Sequence, residues 1–175
     1  MKIVIVAGPN GAGKTTFARF LLASMPEITH YLNADTIAVG LAPLLPETAA
    51  VDAGRFILSQ MDNLEALKLN FAFETTLSSR NYLRRIKQWR AEGYDVRLVF
   101  LSLPDQAFAI NRVKQRVKQG GHNIPENVIR RRFNRGLENI KFYKNIVTSW
   151  QVFDNSVNPP ILLESSEESN EKRKR

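Results

Sequence analysis

A chain of 175 residues with a formal net charge of +8 has room for one full hydrophobic core, and its basic excess points to anionic partners. With no cysteine it excludes disulfides and thiolate metal sites, which permits a reducing compartment. The composition, 43% hydrophobic and 24% charged, is that of a soluble domain. No apolar run approaches the roughly 18 residues of a membrane span, and Ile3–Ala7 is too short for a signal-peptide core, so a cytoplasmic protein without membrane contact is expected.

The first element is Lys2-Ile3-Val4-Ile5-Val6-Ala7, an apolar, β-branched run that reads as a buried strand. Gly8-Pro9-Asn10-Gly11-Ala12-Gly13-Lys14-Thr15 follows and fits G-x-x-x-x-G-K-[ST], and Thr15-Thr16-Phe17-Ala18-Arg19-Phe20-Leu21-Leu22 reads as an amphipathic helix. Strand, glycine loop and helix start form the context that a phosphate-binding loop requires. Glycines let backbone N–H groups approach phosphate oxygens, and the helix N-terminus adds partial positive charge. Gly8 through Thr16 are therefore assigned to the triphosphate of ATP or GTP. Lys14 is assigned to its β- and γ-phosphates and the Thr15 hydroxyl to Mg²⁺.

Thr29-His30-Tyr31-Leu32-Asn33 reads as a second strand running into Ala34-Asp35, with His30 structural. Ala42 to Pro46 is a loop, and a long helix is expected from about Glu47 to Asn70. Phe71-Ala72-Phe73 is a brief buried strand closed by Glu74-Thr75-Thr76. Ser79 is expected to cap a helix running to about Glu92, which Gly93 stops. Tyr94 to Leu101 is the fourth strand. Basic helices are expected over Gln106–Gln119 and from Glu126 to about Tyr143, joined by Gly120-Gly121-His122-Asn123-Ile124-Pro125. Ser149 to Ser156 holds a fifth strand and its exit turn. From Glu164 onward the sequence is polar and charged and is expected to be disordered. The expected organisation is one domain over 1–163, with a lid at roughly 105–135, followed by a tail over 164–175.

Strands alternating with helices predict an α/β fold: a P-loop NTPase/kinase-like three-layer sandwich around a central, mainly parallel five-stranded sheet. Ligands in such sheets sit beyond the carboxyl ends of the strands. That rule selects Gly8–Thr16, Asn33-Ala34-Asp35, Glu74-Thr75-Thr76, Ser102 and Asp154-Asn155, the last pair being assigned to the nucleotide. Between Ile110 and Lys144 ten Lys or Arg stand against two Glu, which equals the net charge of the whole chain, +8. Beside a phosphate loop such a block reads as a cationic lid over a polyanionic small molecule rather than as a nucleic-acid footprint. Arg112 and Arg116 share one helix face, as do Arg131 and Arg135, and Gly120-Gly121 is a candidate hinge.

A phosphate loop alone serves motors, switches, transporter engines and kinases. Transporter-type ATPases need an LSGGQ-like signature and an apolar strand ending in Asp-Glu, whereas here the fourth strand ends Phe100-Leu101-Ser102. GTPases need Asn-Lys-x-Asp, which is missing too. A small-molecule kinase needs a phosphate loop, a base, an acceptor pocket and a cationic lid, and the chain offers a candidate for each. Asp35, after an apolar strand, is the candidate base, with helix capping as its other role. Glu74, Thr75 and Thr76 are candidates for the acceptor. Two readings stand for His122, a phosphate ligand or a helix cap. A plain ATPase or an ATP-dependent RNA-binding module is the alternative to a kinase.

The phosphate loop, Asn33-Ala34-Asp35, Phe73-Glu74-Thr75-Thr76, and the stretch Gly120 to Pro125 with Arg130-Arg131-Arg132-Phe133 resemble, in this order, the zeta-toxin family of P-loop kinases, and most nearly its short bacterial members. The similarity runs from about Lys2 to Asn155. It implies ATP-dependent phosphorylation of a nucleotide sugar, UDP-N-acetylglucosamine, on a hydroxyl of its amino sugar, and a small antitoxin protein as partner. It also implies roles: Lys14 as the phosphate lysine, Thr15 as the magnesium ligand and Asp35 as the base. Glu74 and Thr75 become acceptor contacts, and Arg112, Arg116 and Arg132 the arginines on the γ-phosphate. Asn33-Ala34-Asp35 departs from the usual sequence around the base in that family, which also contains kinases of other metabolites.

Overall fold

The apolar run after Met1 forms β1 (Lys2–Ala7), buried at five of its six positions. It is covered on both faces, which is why its sequence shows no polar alternation. The computed structural model describes residues 1–167. Parallel partners flank β1: β3 (Phe71–Thr75) on one side and β4 (Asp95–Ser102) on the other. Outside them lie β2 (His30–Leu32) against β3 and β5 (Ser149–Asp154) against β4, also parallel. The sheet has six strands rather than five, in the order β2-β3-β1-β4-β5-β6, because β6 (Ile161–Ser165) returns antiparallel along β5. The extra strand takes in Glu164, which lies opposite Val152, and Ser165, which lies opposite Gln151. Glu164 and Ser165, expected in the tail, are thus part of the sheet. The part of that expected tail over 168–175 lies outside the described residues.

Among the described residues seven helical segments lie between the strands. They are α1 (Lys14–Ala23), α2 (Ala34–Leu41), a 3₁₀ turn (Pro46–Ala49), α3 (Ala50–Ala66), α4 (Tyr82–Ala91), α5 (Gln106–Lys118) and α6 (Glu126–Lys144). The helix expected over 47–70 is thus shorter, since it opens as a 3₁₀ turn and ends at Leu67, before the left-handed Lys68 (φ 53°). Ser79 does not cap α4. Its hydroxyl accepts from the Asn81 N–H at 3.1 Å, one turn ahead of the helix, and Asn81 is the N-cap residue. Gly93, at φ 85°, ends that helix as expected. Asn33 rather than Asp35 caps α2: its Oδ1 accepts from the Thr36 N–H at 3.1 Å, leaving Asp35 in the first turn. Among the described residues no single helix is long and apolar enough to cross a membrane.

Alternate residues of β1 feed two cores. Ile3 and Ile5 join Phe71, Phe73, Ile57, Met61, Ile86 and Trp89 beneath α3 and α4, while Val4 and Val6 face Ala18 of α1. A further cluster packs Ala109, Ile110 and Val113 of α5 and Ile129 and Phe133 of α6 against Val99 and Leu101. The basic hairpin is therefore seated on β4 by an apolar face, which leaves its charged residues along the rim of the sheet and on the surface. Helix α6 serves two layers, with Phe133 in the α5 cluster and Tyr143 in the α3–α4 cluster. Between those anchors it grips the loop after β3. Asn139 Nδ2 donates to the Leu77 carbonyl at 2.8 Å, Arg80 Nε donates to Asn139 Oδ1 at 2.9 Å, and the Tyr143 hydroxyl donates to the Ser79 carbonyl at 2.7 Å.

Candidate active site

At the carboxyl end of β1 the loop turns through Gly8 (φ 145°), Gly11 (φ 78°) and Gly13 (φ 74°). A Cβ on Gly8 would lie 2.4 Å from the Leu101 carbonyl oxygen, and one on Gly11 2.7 Å from that of Ala109. Both positions need glycine for backbone angle and for clearance. Lys14 opens α1 and its Nζ donates to the Pro9 carbonyl at 3.0 Å, so the ammonium lies back over the loop. Burial holds its pKa below the ordinary lysine value; Glu74 and Asp35 pull it up, and Arg116 and Arg132 push it down. Lys14 thus stands in the field of two carboxylates and two guanidinium groups.

Two clefts meet here. One, of about 350 Å³, runs along the phosphate loop and is lined by Thr15, Thr16, Arg112 and Arg116 among others. The second, of about 190 Å³, lies between α2, α3 and the end of β3 and includes Thr75, Thr76, Tyr82 and Arg132. Asn10, Lys14, Asp35 and Glu74 line both, so these four residues form the shared wall. Asn10 is 5% exposed, and its buried Oδ1 has no hydrogen-bond partner. Arg132 is the residue of its triplet that lines the smaller cleft with Asp35; burial lowers its pKa, Asp35 raises it and Arg131 lowers it.

A polar network supports the wall. Asn33 Oδ1 is committed to capping α2, so its Nδ2 faces Thr15 and donates to Oγ1 at 3.2 Å. The Tyr31 hydroxyl donates to Glu74 Oε1, and burial together with that carboxylate raises the tyrosine pKa above its ordinary value. Among the described residues none donates a hydrogen bond to Asp35, which separates it from Glu74. Sequence reasoning missed Tyr31, treating it only as a strand residue, and placed Asn33 at the strand end without a role of its own. The signal was a hydroxyl and an amide at the carboxyl end of an otherwise apolar strand. Gly54, Ile57 and Tyr82, which line the smaller cleft, were missed as well.

Among the described residues no group of three or more His, Asp or Glu could hold a metal ion. The Thr15 hydroxyl with Glu74 and Asp35 nearby instead fits a Mg²⁺ ion that keeps waters and phosphate oxygens as its other ligands.

Several expected site residues sit elsewhere. Arg112 Nη1 and Nη2 donate to the carbonyls of Asn155 (2.8 Å) and Ser156 (3.1 Å), and its guanidinium lies over the Phe108 ring. It braces α5 against the turn after β5 while one side still borders the phosphate cleft. Asn155 Nδ2 donates to the Ala12 carbonyl at 2.6 Å, clamping the phosphate loop from β5. Asp154 accepts from the Ser156 N–H at 2.8 Å, which helps to hold its carboxyl below the ordinary range; it lines neither cleft. Beside this turn a groove of about 700 Å³ between α1 and the segment after Asn155 is walled by Phe17, Phe20, Val157 and Pro160, a surface suited to a nucleobase.

His122 lines neither cleft: its ring is 4.0 Å from the Glu47 carboxylate, and its carbonyl accepts from Arg116 Nη2 at 2.6 Å. Gly121 has a packing reason as well, since a Cβ there would lie 2.5 Å from Arg116 Cγ. The glycine pair closes α5 tightly around Arg116. Arg131 and Arg135 are exposed and border neither cleft.

A mostly parallel sheet, a glycine loop entering a helix and a cationic hairpin over the strand ends define a P-loop kinase-like domain. The chain belongs to the AAA_33 family of AAA domains, whose model matches residues 3–142. It is 30% identical over 132 residues to an uncharacterised protein of Haemophilus influenzae, covering 75% of this chain and 92% of that one. Among solved structures it is similar to a protein of the PezAT chromosomal toxin–antitoxin system of Streptococcus pneumoniae. There the TM-score is 0.68 at 16% identity, over 96% of this chain and 72% of that one. Shikimate kinase from Bacteroides thetaiotaomicron is similar at TM-score 0.51 and 14% identity, over 91% of this chain and 89% of that one.

Proposed function

We propose that this chain is an ATP-dependent small-molecule kinase that transfers the γ-phosphoryl group to a hydroxyl of a metabolite, a UDP-sugar such as UDP-N-acetylglucosamine. The observation that carries this reading is the wall of Asn10, Lys14, Asp35 and Glu74 shared by the two clefts. A triphosphate along Gly8–Thr16 brings its γ-phosphate to Lys14, and a hydroxyl in the smaller cleft meets it from the far side. The Thr15 hydroxyl would hold a Mg²⁺ ion, which would supply charge neutralisation at the triphosphate when bound. GTP would fit the same loop.

In this reading Asp35 takes the acceptor proton because its oxygens are uncommitted, whereas Glu74 already accepts from Tyr31. The hydroxyl oxygen bonds to the γ-phosphorus, the bond to the β–γ bridging oxygen breaks, and ADP leaves. Lys14, Arg116 and Arg132 hold the charge that spreads over the equatorial oxygens during transfer. Thr75 and Thr76 orient the acceptor, and Arg112 and Asn155 hold the base-side turn in place. His122 takes the role of a tie between the lid and the 3₁₀ turn.

The nucleotide-sugar assignment rests on the motif resemblance and is supported by the likeness to the PezAT protein. The same likeness supports a small antitoxin protein as partner. The exposed apolar side chains Leu41, Leu44 and Leu45, between α2 and α3, are a surface that a protein partner would cover.

The test is ADP release with ATP and a panel of UDP-sugars, nucleosides and RNA, in wild type, Lys14→Ala and Asp35→Ala. The expected result is acceptor-dependent release that both substitutions abolish. Release that is equal without any acceptor would identify a plain ATPase and overturn the reading.

A further inference from the structure

The smaller cleft does not end at its own walls. A groove of about 700 Å³ runs between α3 and α4, and Gly54, Thr75 and Tyr82 line both spaces. Its lining is rich in hydroxyl and amide groups, among them Ser78, Ser79, Asn81 and Gln88. Arg85 on its floor is neutralised by Asp62 and by Glu65, the latter at 2.7 Å, so the floor is rigid and charge-compensated. Tyr82 is fixed by packing on Phe73, ring centroids 5.0 Å apart.

Gly54 is the residue at this junction that structure alone does not explain. It lies in the second turn of the 17-residue helix α3, where glycine is less stable than alanine because it loses more backbone freedom. Its φ is not positive, and a Cβ built on it would meet no heavy atom within 4 Å. Neither backbone angle nor close packing calls for glycine here. What a side chain at this position would occupy is the open space where the two cavities join.

We infer that Gly54 is a specificity-determining residue that keeps the acceptor cleft open to the α3–α4 groove, and that the acceptor is an extended molecule. Its hydroxyl-bearing unit sits in the inner cleft and a covalently attached polar unit lies in the outer groove. This rests on the kinase reading above. It narrows the substrate class, since a lone monosaccharide leaves the groove unused and gives up the hydrogen bonds of its walls.

The experiment compares UDP-N-acetylglucosamine, N,N′-diacetylchitobiose and N-acetylglucosamine as acceptors for wild type, Gly54→Ala and Gly54→Leu, with thermal unfolding of each protein. Gly40→Ala is the control, because Gly40 is also helical with nothing within 4 Å of a built Cβ but borders neither cavity. Wild type is expected to prefer an extended acceptor. Gly54→Leu should cut kcat/KM for that acceptor by roughly tenfold or more, chiefly through KM. Gly54→Ala should raise the Tm by about 2–4 °C while weakening the extended acceptor. Gly40→Ala should leave the acceptor preference as it is. Acceptor-dependent turnover that Gly54→Leu does not diminish, or a Gly54→Ala protein that melts lower than wild type, would overturn the inference and leave the kinase reading standing. No acceptor-dependent turnover in wild type would remove both.

Discussion

The two halves of the site are built in opposite ways. The phosphate-loop part of the nucleotide half is local: one strand, six loop residues and one helix start, contiguous from Lys2 to Ala23, carry its geometry in their backbone. The half proposed for the acceptor is assembled from α2, α3, β3, α4 and α6, elements brought together from distant parts of the chain. Backbone-built sites tolerate little change because the constraint is steric, as at Gly8 and Gly11. Side-chain-built sites can be retuned one residue at a time while the fold stays intact. A family sharing the first half can therefore differ in the second.

The sharpest way to break this contrast is at the shared wall. Lys14→Ala should lower kcat by about 10³-fold or more and Asp35→Asn by about 10²–10⁴-fold, both measured as acceptor-dependent ADP release in the proposed reaction. If Asp35→Asn were mild and Glu74→Gln severe, the base would be Glu74 and the Tyr31 hydrogen bond would belong to the proton path. Arg132→Ala, on the acceptor side, should cost roughly 10–100-fold, with Arg131→Ala near wild type because Arg131 faces solvent. Equal effects of the two would show that the triplet acts only through bulk charge.

Asn139→Leu tests the grip of α6 on the acceptor loop. It leaves the Leu77 carbonyl without its donor and frees Arg80, and it should destabilise by about 1–3 kcal/mol in urea unfolding while raising the acceptor KM more than the ATP KM. The smallest expected effect is a gain. Burial sets the folded-state pKa of Lys14 below its unfolded value, so the folded protein binds fewer protons between them. The cost to stability is present below the folded pKa and is relieved as pH rises toward 10.5. Lys14→Met should therefore raise the Tm near pH 7 by about 2–4 °C, with the gain shrinking in alkaline buffer.

What the sequence determined by itself was the nucleotide half and the layer order. The continuous apolar runs, the glycine spacing and the helix start are local properties, and each constrains its neighbour: a strand buried on both faces must be flanked, and the glycine loop follows directly at its end. Asp35, Glu74, Thr75 and Thr76 were legible for the same reason, because the carboxyl ends of parallel strands converge wherever the sheet is wound. The tertiary structure alone decided which basic residues face inward. Arg131, Arg132 and Arg135 look alike in sequence, and the seating of Phe133 on the α5 cluster leaves Arg132 lining the cleft that Asp35 also lines. It also decided that Arg112 braces a turn, that His122 meets Glu47, that β6 extends the sheet, and that Gly54 stands where two cavities join. These depend on contacts between residues far apart in the chain, whose geometry no local pattern encodes.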